Sequence, residues 1–176
     1  AELDAAAKEE HVGLCLVAAE EPDSVDEALD EARWKRAMDA ELAAIRDNGT
    51  WELATLPPGH RAIGLKWVYK IKRDTAGNTV KHKARLVAKG YAQRQGMDYD
   101  EVFAPVARME TVRLLLALTA HRGWQVHHMD VKSAFLNGDL LEEVYVHQPL
   151  GFVIGGDAGK VLRLRKALYS LKQAPR

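Results

Sequence analysis

One stretch of the sequence, residues 126–140, combines a carboxylate and an aromatic ring at a spacing that could serve chemistry. It reads VHHMDVKSAFLNGDL, with Asp130 between an apolar β-type run and a short helical turn, and with Phe135 inside that turn. Aspartate is a favoured N-cap residue, so one interpretation is that Asp130 caps the turn. The other is that a carboxylate held at a strand end binds a divalent metal ion, since Mg²⁺ prefers oxygen ligands. The stretch by itself leaves both interpretations open.

A second feature that could take part in binding is a concentration of positive charge. Residues 61–94 hold 10 Lys and Arg side chains and a single acid, Asp74. Apolar and basic residues alternate on either side of a turn signal at residues 74–78, which predicts a β-hairpin with one apolar and one cationic face. The predicted cationic face carries Lys66, Lys70 and Lys72 from the first strand and Lys81, Lys83, Arg85 and Lys89 from the second.

This cationic face has two interpretations. Like charges facing one another across a hairpin are unfavourable unless an anion lies over them. Phosphate is a suitable anion, because Lys offers a point charge and Arg a fork that grips two oxygens. A basic patch can also serve only to keep a protein in solution.

Composition indicates one folded unit with an acidic leader. A length of 176 residues is enough for a single domain with a core. Residues 1–50 carry 14 Asp and Glu against 5 Lys and Arg, whereas residues 51–176 carry 20 Lys and Arg against 11 Asp and Glu. The first ten residues are acidic where a secretory signal would be basic, and no apolar run reaches the roughly eighteen residues of a membrane span. We therefore expect an intracellular protein that is neither secreted nor bound to a membrane.

Start and stop signals predict the elements that must position these residues. Ser24 and Glu27 form a capping box, and the apolar spacing after them predicts one amphipathic helix over residues 24–48. The leucine-rich residues 110–122 before Gly123 predict a buried helix. The remaining predictions are strands at residues 124–130, 142–149 and 160–164, a plain connection at residues 155–159, and a leader or linker at residues 1–23.

Seven ordered motifs give the chain a family resemblance. It resembles the N-terminal part of the reverse transcriptase domain in the Pol polyprotein of Ty1/copia-type retrotransposons. The resemblance covers roughly residues 20–176, and so many motifs in one order make it highly specific. They are W..AM..EL.AI..N.TWEL (residues 34–53), KWVYKIK (66–72), KARLVAKGYAQ (83–93), FAPVAR (103–108), DVKSAFLNG (130–138), EEVYVHQP (142–149) and KALYSLKQAPR (166–176).

The resemblance implies a fold and an activity. The fold is α+β: the fingers and a partial palm of a right-hand polymerase, with a β-hairpin and antiparallel palm strands packed on helices. It divides the chain into a leader at residues 1–23, fingers at residues 24–109 and a truncated palm at residues 110–176. The activity is RNA-directed DNA polymerisation by two Mg²⁺ ions, with an RNA or DNA template-primer and deoxynucleoside triphosphates as partners.

The resemblance also implies roles at the candidate metal and sugar sites. Asp130 matches the first metal-binding aspartate at the end of a palm strand, and Val131 would add its backbone carbonyl. Phe135 matches a bulky ring beneath the incoming sugar, where a 2′-hydroxyl would clash. These implied roles favour the metal-binding interpretation of Asp130 over the helix cap.

Further implied residues surround the nucleotide and the nucleic acid. For the triphosphate the candidates are Lys83 and Arg85, between which the sequence does not decide, and the nucleotide pocket adds Tyr169, Ser170 and Lys172. Ser170 stands where the family usually has glycine, so we expect a narrowed pocket or a strained turn there. The implied nucleic-acid contacts are Lys66, Lys70, Lys72, Lys81 and Lys89.

One part of the family pattern is absent from the sequence. The pattern continues into a Tyr-x-Asp-Asp hairpin that supplies the other metal-binding carboxylates, and no Asp-Asp dipeptide occurs in this chain. The chain is therefore expected to need the C-terminal half of the domain as a partner, to bind no Mg²⁺ tightly and to be inactive alone. The alternative is a non-catalytic retrotransposon remnant or a basic nucleic-acid-binding module.

Overall fold

The computed structural model of the protein describes residues 21–104, 106–131 and 134–175. Most of the predicted leader and the side chain of Phe135 therefore lie outside the described part. The helices are α1 (Val25–Asp30), α2 (Ala32–Asp47) and α3 (Met109–Arg122), with short 3-10 helices at Gly90–Ala92 and Ala134–Asn137. The strands are β1 (Trp51–Ala54), β2 (Leu65–Arg73), β3 (Thr79–Ala88), β4 (Tyr145–Val146) and β5 (Val161–Leu164). The architecture is α+β with antiparallel sheets, as predicted.

The N-terminal helical region begins with the predicted capping box. The Ser24 hydroxyl accepts a hydrogen bond from the Glu27 amide at 3.2 Å, and the Glu27 carboxylate accepts one from the Asp23 amide at 3.0 Å. The prediction of one helix over residues 24–48 is wrong, because Glu31 is extended and separates α1 from α2. A continuous helix would place Ala28 and Trp34 on different faces. The break allows both side chains to be fully buried in one core.

The predicted hairpin forms from β2 and β3. The strands pair antiparallel around a turn at residues 74–78, in which the Asp74 carboxylate accepts bonds from the Ala76 and Asn78 amides. The apolar face packs on α2, where the Trp34 ring meets the rings of Tyr69 and His82 edge to face. Alternation of apolar and basic residues therefore predicted this element correctly.

A second sheet has the order β1-β5-β4, with β5 in the centre. Sequence analysis did not predict β1 as a strand, because its partner β5 lies more than a hundred residues later and Trp51 pairs with Leu164. The strand predicted at residues 142–149 is confirmed only at Tyr145–Val146. Ile63, which precedes the hairpin, exchanges backbone hydrogen bonds with Tyr145 and His147 of the β4 region.

Two predictions fail between residues 109 and 131. Helix α3 forms and ends at Gly123 in a left-handed conformation, as predicted, but none of its residues is buried. Its leucines and cap suffice to form a helix, whereas burial needs a partner surface that the described part of the chain does not supply. The strand predicted at residues 124–130 is also absent, since a strand needs a hydrogen-bonding neighbour and none of the described strands pairs with this segment.

Candidate nucleic-acid and nucleotide interface

The cationic face of the hairpin, defined here as the basic side chains of β2 and β3 that lie opposite α2, has like charges in register. Lys70 lies directly across from Lys83, and Lys72 lies directly across from Lys81. Burial and the nearby Arg85 charge lower the pKa of Lys83, although Glu41 acts in the opposite direction. Like charges of the two strands thus face one another across the hairpin, so an anion over this face would be stabilising.

The other predicted nucleic-acid contacts differ in their exposure. Lys66, like Lys70 and Lys72, is exposed on β2. Lys89 follows β3 and is half-buried, since its aliphatic stem lies against Gly64. Exposed lysines therefore lie at both ends of the cationic face, with Lys66 away from the turn and Lys72 and Lys81 near it.

Arg85 has a different environment from the lysines. Its guanidinium carbon lies 5.8 Å from the centroid of the Tyr169 ring, a cation–π contact between two predicted nucleotide-binding residues. The Arg85 Nε is buried and has no hydrogen-bond acceptor among the described residues. The structure thus brings Arg85, rather than Lys83, into contact with the segment that contains Tyr169.

That segment, residues 167–175, is docked on the end of β3. Tyr169 bridges to Val87, and its carbonyl accepts a bond from the Ala88 amide at 3.0 Å. The next residue, Ser170, has φ of 66° and is the one non-glycine residue with positive φ in the described part of the chain. Only glycine adopts this conformation without steric cost, so the expectation of strain at Ser170 is confirmed at the level of the backbone.

A buried amide network holds residues 167–175 in place. The Gln93 side-chain oxygen Oε1 accepts from the Lys172 backbone amide at 2.8 Å, and Gln93 Nε2 donates to Gln173 Oε1 at 3.0 Å. Gln173 in turn donates to the Asp98 carbonyl at 2.9 Å. Sequence analysis missed these glutamines as positioning residues, although both lie inside the motifs KARLVAKGYAQ and KALYSLKQAPR.

The Lys172 side chain is exposed and contacts Tyr99. Its ammonium donates to the Tyr99 hydroxyl at 3.0 Å and lies 4.8 Å from the Tyr99 ring centroid. Lys172 thus has a protein partner, and a nucleotide phosphate would have to share or replace that contact.

Asp130 and Val131 lie outside this network. Both are exposed at the end of the irregular segment 124–131, and the contacts described for the hairpin and for residues 167–175 do not include them. The predicted Phe135 belongs to the 3-10 helix Ala134–Asn137, whose Leu136 is fully buried. In the motif that begins at Asp130, Leu136 is thus buried in the core, whereas Asp130 itself is exposed.

The described residues do not by themselves fit a two-ion magnesium site. Mg²⁺ bound by protein needs at least one or two carboxylates in addition to substrate oxygens. In the described part of the chain, no group of three or more His, Cys, Asp or Glu is arranged to hold a metal ion. Asp130 can contribute one carboxylate, so a two-ion site would need further ligands.

Two glutamates occupy the outer edges of the hairpin. Glu21 accepts a bond from the Ile71 amide at 2.8 Å on the β2 edge, and Glu41 accepts one from the Leu86 amide at 3.4 Å on the β3 edge. Burial raises the pKa of Glu41 despite the Leu86 bond. Burial also acts to raise the pKa of Glu21, but the Ile71 amide and Lys70 outweigh it and lower that pKa. Each carboxylate occupies a backbone amide on a strand edge that could otherwise pair with another strand.

Comparison with known proteins identifies the family to which the chain belongs. The family model described as reverse transcriptase (RNA-dependent DNA polymerase) matches residues 48–176. The chain is 45% identical over 159 residues to the retrovirus-related Pol polyprotein from transposon TNT 1-94 of Nicotiana tabacum, which covers 89% of this chain and 12% of that protein. It is 43% identical over 166 residues to the Pol polyprotein from transposon RE1 of Arabidopsis thaliana, covering 94% of this chain and 11% of that protein.

Other comparisons add less. An uncharacterized mitochondrial protein of Arabidopsis thaliana is 43% identical over 96 residues, which is 54% of this chain and 56% of that protein. No solved structure matches the chain. Among the described residues, the helices are too short or too polar to cross a membrane. The chain thus spans about an eighth of the length of the two transposon polyproteins it matches.

Proposed function

Because the chain belongs to the reverse transcriptase (RNA-dependent DNA polymerase) family, we propose that it forms the template-contacting and nucleotide-contacting part of a copia-type retrotransposon polymerase. Residues 24–109 would act as fingers and residues 110–176 as part of the palm. The polymerase activity itself would belong to a longer chain, as in the transposon polyproteins that this sequence matches.

The observation that carries the proposal is the contact between Arg85 and Tyr169. It joins the cationic face of the hairpin to residues 167–175, so phosphate-binding and nucleotide-binding candidates lie side by side. Ser170 continues this surface with a backbone that would otherwise call for glycine. A surface built in this way could hold a nucleotide whose phosphates face the hairpin.

The hairpin would bind nucleic acid without regard to base sequence. Its lysines can neutralise backbone phosphates, and phosphate contacts position a strand without specifying its bases. About four to six such contacts predict a log–log salt slope on the order of −3 to −5. Titration of a labelled primer–template into the 176-residue chain across a salt series tests this part, and salt-independent binding would contradict it.

Asp130 would contribute one metal ligand to the complete active site. In a chain extended to the length of the polymerase domain, Asp130→Asn should abolish primer extension and leave primer–template binding intact. Asp139→Asn, a nearby exposed acid, is the matched control and should retain extension. The 176-residue chain alone should extend no primer with Mg²⁺ or Mn²⁺, since it supplies only this one of the expected carboxylates. Normal extension by the Asp130→Asn chain would refute the assignment.

Phe135 would distinguish deoxynucleotides from ribonucleotides in the same extended chain. Its replacement by alanine should raise ribonucleotide incorporation relative to deoxynucleotide incorporation, because space would open for a 2′-hydroxyl. An unchanged ratio would show that Phe135 has only a packing role.

A second candidate function is nucleic-acid binding without catalysis. The specific observation that favours it is a well-formed cationic hairpin in a chain whose described residues hold no group of three or more His, Cys, Asp or Glu arranged to bind a metal ion. Primer extension by the extended chain separates the two candidates, since a binding module would retain affinity and show no incorporation.

A further inference from the structure

A carboxylate of the chain itself lies against the hairpin. Glu21 Oε1 lies 2.8 Å from the Ile71 amide nitrogen and 3.1 Å from the Lys70 ammonium. Lys70 belongs to the cationic face, and Lys83 lies directly across the hairpin from it. One anionic group therefore already occupies part of the surface assigned above to nucleic acid.

Local structure holds Glu21 in this position. Pro22 is buried, and the Asp23 amide is bound by the Glu27 carboxylate at the start of α1. Between this segment and β2 runs a groove of about 700 Å³. Its lining among the described residues includes Lys70, Ile71 and Arg73, so the groove reaches the groups that surround the Glu21 carboxylate.

The donors around Glu21 are those that a phosphate oxygen would use. An outward-pointing backbone N–H and a lysine ammonium converge on one carboxylate oxygen, and Arg73 adds positive charge close by. Charge-assisted hydrogen bonds are about twice as strong as neutral ones, and lysine ammonium and backbone N–H groups donate to phosphate oxygens as they do to carboxylates. The carboxylate thus stands where a singly charged phosphate diester oxygen would fit.

We propose that the Ile71 amide, Lys70 and Arg73 form a phosphate subsite for nucleic acid, and that Glu21 fills this subsite until a backbone phosphate displaces it. The inference rests on the proposed nucleic-acid binding by the hairpin and adds an intramolecular competitor to it. Removal of the Glu21 charge should tighten binding, because the nucleic acid no longer has to displace a bound anion.

The test compares two variants of the 176-residue chain that change the net charge equally. Glu21→Gln keeps the size of the side chain and an oxygen for the Ile71 amide but removes the competing charge. Asp30→Asn removes an exposed charge elsewhere in the N-terminal helical region. With a labelled primer–template at low salt, we expect Glu21→Gln to tighten binding about threefold more than Asp30→Asn, as expected for loss of one partly exposed ion pair.

Two further measurements test whether the effect of Glu21 acts through Lys70 and the Ile71 amide. In a Lys70→Gln background the difference between Glu21→Gln and Asp30→Asn should shrink, because the Lys70 ion pair is gone and only the Ile71 amide and the Arg73 charge still hold Glu21. In the wild-type chain, the Ile71 amide resonance should shift when the primer–template is added. Equal affinities for the two variants, with wild-type binding present, would overturn this inference alone, whereas no binding by any of the proteins would overturn the proposed function as well.

Discussion

A β-carbon placed on Gly90 would stand 1.9 Å from the carbonyl oxygen of Ser170. The two residues come from motifs about eighty positions apart in sequence, and their backbones touch with no side chain between them. This close approach sits next to the Tyr169–Ala88 hydrogen bond and so helps to place the Tyr169 ring beside Arg85. The geometry of the candidate nucleotide-binding residues therefore depends on Gly90, which is not itself one of the predicted site residues.

The first prediction concerns this contact. Gly90→Ala should lower the free energy of unfolding by about 1–3 kcal/mol, because the new methyl group would overlap backbone that cannot move away cheaply. Gly159→Ala is the control, since no atom lies within 4 Å of the β-carbon it would add. Urea denaturation of both variants decides the matter, and equal unfolding midpoints would contradict the close approach.

The second prediction concerns the strained backbone at Ser170. Ser170→Gly should raise the free energy of unfolding by about 0.5–1 kcal/mol, because glycine reaches φ of 66° without the β-carbon clash. Ser170→Ala keeps the β-carbon and should show no gain. If alanine stabilised the chain as much as glycine, the effect would come from the lost hydroxyl instead of the backbone.

The third prediction concerns the cationic face. Lys72 and Lys81 are exposed and directly opposite each other, whereas Lys83 is half-buried and Arg85 contacts Tyr169. The double variant Lys72→Gln/Lys81→Gln should flatten the log–log salt slope of primer–template binding by about 1.4–1.8, as two phosphate contacts are lost.

The control for this prediction lies on α2, which covers the opposite face of the hairpin. Lys35 and Arg46 are exposed there, and Lys35→Gln/Arg46→Gln changes the net charge by the same amount. We expect its salt slope to equal that of the wild type. The same slope in both double variants would mean that binding follows net charge and not the cationic face.

The fourth prediction concerns alkaline pH. Burial raises the pKa of Tyr69 to about 12, from an ordinary value of 10.0. Between these values the unfolded chain releases the phenol proton while the folded chain keeps it, so stability should fall as pH rises from about 10 to about 12. Tyr69→Phe should remove this part of the decline, whereas Tyr91→Phe, at a ring that is 77% exposed, should not. Urea midpoints across this pH range measure the difference, and parallel declines for both variants would contradict it.

Local patterns in the sequence were sufficient for several elements. The alternation of apolar and basic residues predicted the hairpin and its two faces, since side chains alternate across any strand. The capping box at Ser24 and the glycine after α3 predicted helix ends, because those signals act within one turn of chain. The ordered motifs determined the family without reference to any contact.

The tertiary structure determined which residues far apart in sequence contact one another. The pairing of β1 with β5, the break at Glu31 and the exposure of α3 all depend on which surfaces meet, and periodicity within one segment carries no information about its partner. The same holds for the candidate site, where Gln93 and Gly90 hold residues 167–175 against β3 and Glu21 reaches the Ile71 amide. The sequence motifs identified the candidate site residues. The distances between those residues depend on the fold, because they arise from packing between segments far apart in the chain.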